Sequence, residues 1–264
     1  MPLGCLLGGA FFYPVAGLLL ESFGAGAPNL ANYQRVFAEP LYVAVLLRTL
    51  RVAALVAALS LLLGYPVAYY MTKCRGWTFA LLTAGVLLPL WTNALVRSYA
   101  WTILLQRKGI VNTLLQELGL VDHPLPLLYT EPAMIVAMAH VLLPFVILPL
   151  YSALRNIPGE LARAARNLGA DPRRTFLHVT LPLSLPGIAS GGMLVFVMAL
   201  GLYITPALIG GPRALMIGPL IYEQATQLVN WPFAAALAVV LLAVTLALIG
   251  LLQRTFGLQR VIHL

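Results

Sequence analysis

The sequence predicts an all-α polytopic membrane protein with about six transmembrane helices. Three observations carry that reading. Of 264 residues 61% are hydrophobic and only 9% charged, whereas a soluble domain carries roughly 25% charged residues. The mean hydropathy is +0.92. Finally, six uncharged stretches reach the roughly 18 residues needed to cross a bilayer as a helix.

The first stretch, Leu3–Leu20, has no basic residue ahead of it and no small-residue cleavage site, so it reads as a retained span rather than a secretion signal. The second is Val52–Tyr70, and the third, Phe79–Val96, follows a short basic turn. Ala133–Ala153, Ile188–Leu208 and Phe233–Leu252 complete the set. Each must be helical, because lipid offers no partner to an unbonded backbone N–H or C=O. None alternates in polarity as a barrel strand would. Prolines at 14, 66, 89, 144, 149 and 206 fall inside the runs and predict kinks. The whole chain reads as one transmembrane domain.

A net charge of +8 would suggest nucleic acid in a soluble protein. In a membrane protein its placement decides topology, since Lys and Arg collect on the cytoplasmic side. With both termini inside, the cytoplasmic segments hold nine cations: Lys73, Arg75, Arg155, Arg163, Arg166, Arg173, Arg174, Arg254 and Arg260. The outer side holds four, Arg35, Arg107, Lys108 and Arg213, or seven with the flanking Arg48, Arg51 and Arg97. Both termini are therefore expected in the cytoplasm. Cys5 and Cys74 are too few and too far apart for a disulfide framework or a metal site.

Residues 155–185, between spans four and five, differ from the rest. Pro158 suits the first turn of a short helix and Gly169 its left-handed end. Asp171 with Pro172 behind it starts a second helix, which Pro182 ends or bends. Leu161, Ala165 and Leu168 share one face of the first, and Ala164 and Ala165 leave little bulk beside it. Two readings fit: a helix seated in another protein's groove, or an amphipathic loop lying on lipid headgroups.

The spacing Arg163-Ala164-Ala165, then Gly169, then Val179-Thr180-Leu181-Pro182 resembles the coupling-loop signature of binding-protein-dependent ABC transporter permeases. Arg163 stands where the family usually has Glu, a departure that bears on the charge contact and not on the docking spacing. The chain is most similar to the spermidine/putrescine branch, through Leu88-Pro89-Leu90-Trp91, Val96-Arg97-Ser98-Tyr99-Ala100-Trp101, Tyr203-Ile204-Thr205-Pro206 and Asn230-Trp231-Pro232-Phe233. The resemblance implies a bacterial inner-membrane permease for polyamines or a related small solute, with a cytoplasmic coupling helix between helices 4 and 5. It implies as partners a second, paralogous permease chain, two ATPase subunits, an external or periplasmic substrate-binding protein and membrane lipid. Coupling would fall to Arg163, Ala164, Ala165, Gly169, Val179, Leu181 and Pro182. No cofactor is expected on this chain; ATP and Mg²⁺ would sit in the ATPases.

Indeed the only lysines, Lys73 and Lys108, lie in no Gly-x-x-x-x-Gly-Lys-Ser/Thr loop, so the chain has no ATP site of that type. Candidate substrate-pathway residues are Trp91, Asn93 and Arg97 at the outer half of span three, Tyr203 and Thr205 before Pro206, and Glu223 in the last outer loop. Aromatic faces hold cationic amines, and they also form interfacial belts, the expected place of Trp101. Arg48 and Arg51 would suit an anionic solute equally well. His140 is either a proton relay or bonded to a neighbouring helix, and His123, His178 and His263 have no ligand spacing. An ion-coupled secondary transporter would want carboxylates at membrane depth, and the six cores hold none. An intramembrane enzyme would need more than Ser60 and His140.

Overall fold

The structure is a computed structural model that describes residues 2–24 and 29–256; the expected cytoplasmic Arg260 and His263 lie outside the described residues, as do the side chains of Cys5, Arg213 and Arg254. The helices are α1 (Pro2–Ser22), α2 (Ala31–Ala38), α3 (Pro40–Lys73), α4 (Gly76–Trp91), α5 (Ala94–Leu105), α6 (Ile110–Glu117), α7 (Glu131–Arg155), α8 (Gly159–Asn167), α9 (Pro172–Thr175), α10 (Leu181–Leu183), α11 (Leu185–Gly201), α12 (Ile217–Thr226) and α13 (Trp231–Phe256). Among the described residues α3, α7 and α13 are long and apolar enough to cross a membrane unbroken. Two bent pairs reach that length together, 76–117 with a bend of 102° and 172–201 with a bend of 59°.

The third span is thus not the continuous helix Phe79–Val96 that its composition suggests. Thr92 and Asn93 are both extended, and Asn93 restarts the chain as a helix N-cap by accepting from the Leu95 amide at 2.8 Å. The fifth span departs in the same way. Leu202 is extended after Gly201, and Pro206 has no N–H to offer the Leu202 carbonyl. The chain then makes a π-helical turn over Pro206–Gly210. By contrast α1, α3 and α7 run on through Pro14, Pro66, Pro144 and Pro149.

The chain forms two compact units, one comprising residues up to Leu50 with Leu215–Phe256, the other Arg51–Ala214. In the first, α1 and α12 pack on α13. Its core gathers Tyr42, Val45 and Leu46 with Leu220, Phe233 and Leu237. Thr49, fully buried, accepts from the Ile217 amide at 2.9 Å and donates to the Val45 carbonyl at 2.8 Å. That hydroxyl supplies the partner the first amide of α12 lacks. The last outer loop, where Glu223 was expected, is therefore helical.

The second unit is organised on α7. Of its apolar window 61% is buried inside the protein. α11 lies close against it at Gly187, which meets the methyl of Ala153, and at Gly191, which meets the Val146 backbone. A Cβ added at Gly187 would collide with that of Ala153, and one at Gly191 would stand 3.2 Å from the Val146 carbonyl oxygen. Small residues let membrane helices approach this closely, and dispersion then holds them. Gly187→Ala is expected to destabilise the protein by about 1–3 kcal/mol through overpacking. Adding Ala153→Gly to the same chain restores the space, so the double variant should recover the melting temperature that the single variant loses.

Candidate functional site

Two places concentrate polar and shape-determining residues in the second unit. The first is the segment 155–185. α8 opens after Pro158 and closes in a Schellman turn: the Ala170 amide bonds to the Ala165 carbonyl at 3.0 Å, and the Gly169 amide to Arg166 at 2.9 Å. Gly169 has φ +87, a left-handed conformation that side chains resist. Asp171 then caps α9 by accepting from the Arg174 amide at 2.6 Å. Both caps stand at the positions read from the sequence.

No residue of α8 is buried within this chain. Leu168 is 89% exposed, Leu161 is exposed with it, and Arg163 and Ala164 are open to the outside. Ala165 and Val179 are half-buried, Leu181 likewise, and Pro182 is exposed. α8 thus leaves an apolar, small-residue face flanked by arginines open in this chain.

What the sequence did not reveal is how this segment grips the spans. After α9 the backbone widens into a π-helical turn over Phe176–Thr180. The Phe176 ring stands edge-on to Tyr65 and Tyr69 of α3, with centroids 5.8 and 5.4 Å away. The Tyr65 hydroxyl meets the buried Ser184 hydroxyl at 2.9 Å. Lys73 closes the group, its ammonium 4.1 Å from the Tyr69 ring centroid. Aromatic residues four apart on a helix form one stripe, so Tyr65 and Tyr69 were a legible signal; their partner was not.

The second place is the break between α4 and α5. Arg97 turns back to donate from Nη1 to the Pro89 carbonyl at 2.6 Å. That carbonyl is in the last turn of α4, where acceptors lack intrahelical partners. Arg97 therefore clamps the corner, and its Nε is buried without an acceptor. Its neighbour Ser98 is fully buried against Thr205, hydroxyl to hydroxyl at 3.1 Å. The break in the third span is thus tied to the break in the fifth.

Of the expected pathway residues, the structure brings Asn93, Arg97 and Thr205 together here. Asn93 serves as a cap, Trp91 is 90% exposed, and Tyr203 is exposed beside the Leu202 break. Glu223, half-buried on α12, belongs to the other unit. Trp101 donates from Nε1 to His140 Nδ1 on α7 at 3.3 Å. His140 is thereby bonded to a neighbouring helix. Arg51 forms a two-pronged ion pair with Glu131 at 2.6 and 2.7 Å, so its charge is already balanced.

Comparisons place these features among known proteins. The profile of the family "Binding-protein-dependent transport system inner membrane component" matches residues 59–257. The chain is 39% identical over 213 residues to the spermidine/putrescine transport system permease protein PotB of Escherichia coli (strain K12), covering 81% of this chain and 77% of that protein. It is 32% identical over 206 residues to the molybdenum transport system permease protein ModB of Mycobacterium bovis, covering 78% and 76%. In fold it resembles a chain of the crystal structure of a bacterial alginate ABC transporter in complex with alginate pentasaccharide-bound periplasmic protein. That likeness has a TM-score of 0.75 at 20% identity, covering 99% of this chain and 93% of that one.

The turn at Gly169 makes a direct prediction. Nothing lies within 4 Å of a Cβ built there, so a substitution acts through backbone strain alone. Gly169→Val should raise the local free energy by about 1–2 kcal/mol, and Gly169→Asn by less. Amide hydrogen exchange across residues 159–175 should speed up roughly 5–30-fold in the valine variant. Unchanged exchange would show that the turn does not depend on the left-handed residue.

Proposed function

This chain belongs to the family of binding-protein-dependent transport system inner membrane components, and on that premise we propose that it translocates polyamines within an ATP-driven importer. It is a multi-pass ABC importer permease. The observation that carries the mechanism is the uncovered helix α8 with its aromatic anchorage on α3. ATP binding closes a pair of partner ATPases, α8 moves with the groove that holds it, and Phe176 passes the displacement to Tyr65 and Tyr69. Ser184, at the 59° bend into α11, passes it to the helix packed on α7. The cavity then changes the side to which it opens. Arg163, Ala164, Ala165, Gly169, Val179, Leu181 and Pro182 form the coupling surface. ATP and Mg²⁺ belong to the ATPases, and a paralogous permease chain completes the pathway. The arginines of residues 155–174 support a cytoplasmic position for this segment and for both termini.

Three observations favour a cationic cargo. The relatives named for spermidine and putrescine are more similar to this chain than the one named for molybdenum. Arg51 is paired with Glu131, so it does not offer an uncompensated charge to an anion. Trp91 and Tyr203 present aromatic faces near the two breaks, where an ammonium group binds by its attraction to the ring. An external binding protein sets the choice among amines.

Co-expression with the neighbouring transporter genes, purification and reconstitution test this directly. The expected result is co-purification of an ATPase subunit and ATP-dependent uptake of labelled spermidine or putrescine. A complex without an ATPase, or one that takes up molybdate and no amine, would overturn the reading. The transmission path has its own check. Phe176→Ala removes two edge-to-face pairs, worth about 0.5–1.5 kcal/mol each beyond their burial. The assembled variant should hydrolyse ATP while its uptake per ATP falls.

A further inference from the structure

The turn that follows the break in the fifth span is held from two sides. Thr205, immediately before Pro206, is 2% exposed, and its hydroxyl meets that of the fully buried Ser98 on α5 at 3.1 Å. Among the described residues each hydroxyl has the other as its one hydrogen-bond partner. At the far end of the turn Gly210 seats the backbone on α7. A Cβ there would stand 2.6 Å from Sδ of Met134, a side chain with no exposed surface. Gly211, at φ +65, lies against the Tyr129 side chain just ahead of α7. The turn is thus joined to α5 by a pair of hydroxyls and to α7 by close packing.

Separating the two hydroxyls would leave both buried without a partner, a state disfavoured about fivefold or more for each. Lipid provides no replacement. The pair is therefore the contact that stays closed when the helices around it shift, and whatever moves the turn moves α5. Ser98 adjoins Arg97, whose Nη1 holds the Pro89 carbonyl at 2.6 Å. A displacement of the turn thus reaches the whole 102° corner between α4 and α5.

We propose that Ser98 and Thr205 are positioning residues for transport: their hydroxyl pair makes α5 and the turn at 205–211 one body, so that movement of α11 carries the α4–α5 corner with it. The inference rests on the importer reading and extends it. The path from α8 through Phe176 and Ser184 enters α11 at its first turn, and Thr205 and Ser98 are where it leaves.

The test uses the assembled complex with Cys5→Ser, Cys74→Ser, Ser98→Cys and Thr205→Cys in this chain. The two γ oxygens lie 3.1 Å apart, so thiols in their place need only a small adjustment to bond. The expected result is equal disulfide yield in the nucleotide-free complex and after trapping with ATP and vanadate, with uptake per ATP unchanged by the bond. A bond that forms in one state or in neither, or one that arrests uptake while ATP is hydrolysed, would overturn the proposal. A second measurement removes the hydroxyls. Thr205→Val and Ser98→Ala should each lower uptake per ATP about fivefold, with assembly and ATP hydrolysis retained. The double variant should fall no lower than the weaker single one, and Thr205→Ser should match the unaltered chain. Unchanged uptake per ATP in both single variants would overturn the proposal. So would uptake, ATP hydrolysis and melting temperature falling together, the mark of a purely structural contact. An unaltered complex that carries no amine would sink the polyamine reading by itself, because the disulfide yields need no cargo.

Discussion

Lipid cannot hydrogen-bond, and every break in a helix at membrane depth must find its partners inside the protein. At the break after α4 the chain answers that constraint with its own side chains, and at the break after α11 a side-chain pair ties the two breaks together. At the first break Asn93 takes the Leu95 amide and Arg97 takes the Pro89 carbonyl. At the second Thr205 meets Ser98. A polar cluster that looks like a binding site by residue type is, by geometry, largely the apparatus that makes the corner possible. Arg97 holds the corner through one N–H group, and its reading as a substrate ligand rests on the others.

A second constraint is mechanical. α11 lies on α7 at glycines that meet the methyl of Ala153 and the Val146 backbone, neither of which can absorb a shift by changing rotamer. The segment ahead of α11 is wedged between Tyr65 and Tyr69 through Phe176, and is hydrogen-bonded to Tyr65 through Ser184. A displacement of α8, as proposed above, would therefore meet stiff contacts rather than compliant ones. The π-helical turn at Phe176–Thr180 is the wider stretch of backbone in that path, and such turns concentrate where a helix must yield locally.

Much of this was legible in the sequence, and the divisions are instructive. Apolar runs announce membrane helices because the bilayer demands them over a fixed length, and the caps at Gly169 and Asp171 announce turns because few residues do what they do. The breaks at Thr92 and Leu202 were hidden. Each sits inside an uncharged run, so hydropathy sees no interruption, and only the local chemistry of Asn93 and Pro206 betrays it. Ser98 carried no signal at all, since a lone hydroxyl on an apolar helix is ordinary until its partner 107 positions later is known. Arg51 read as an available cation because Glu131 is 80 positions away, beyond any helical spacing rule. The arrangement of α8 was readable as geometry, while its anchorage required knowing which helix Phe176 faces.

The bare flank of α8 has a consequence for the cell. A subunit that keeps Leu161 and Leu168 uncovered is an unfinished object until its complement arrives, and quality-control proteases recognise such greasy, open segments. If α8 seats in a partner as proposed, excess chain would keep that flank open to such proteases, and its lifetime would follow the supply of the partner.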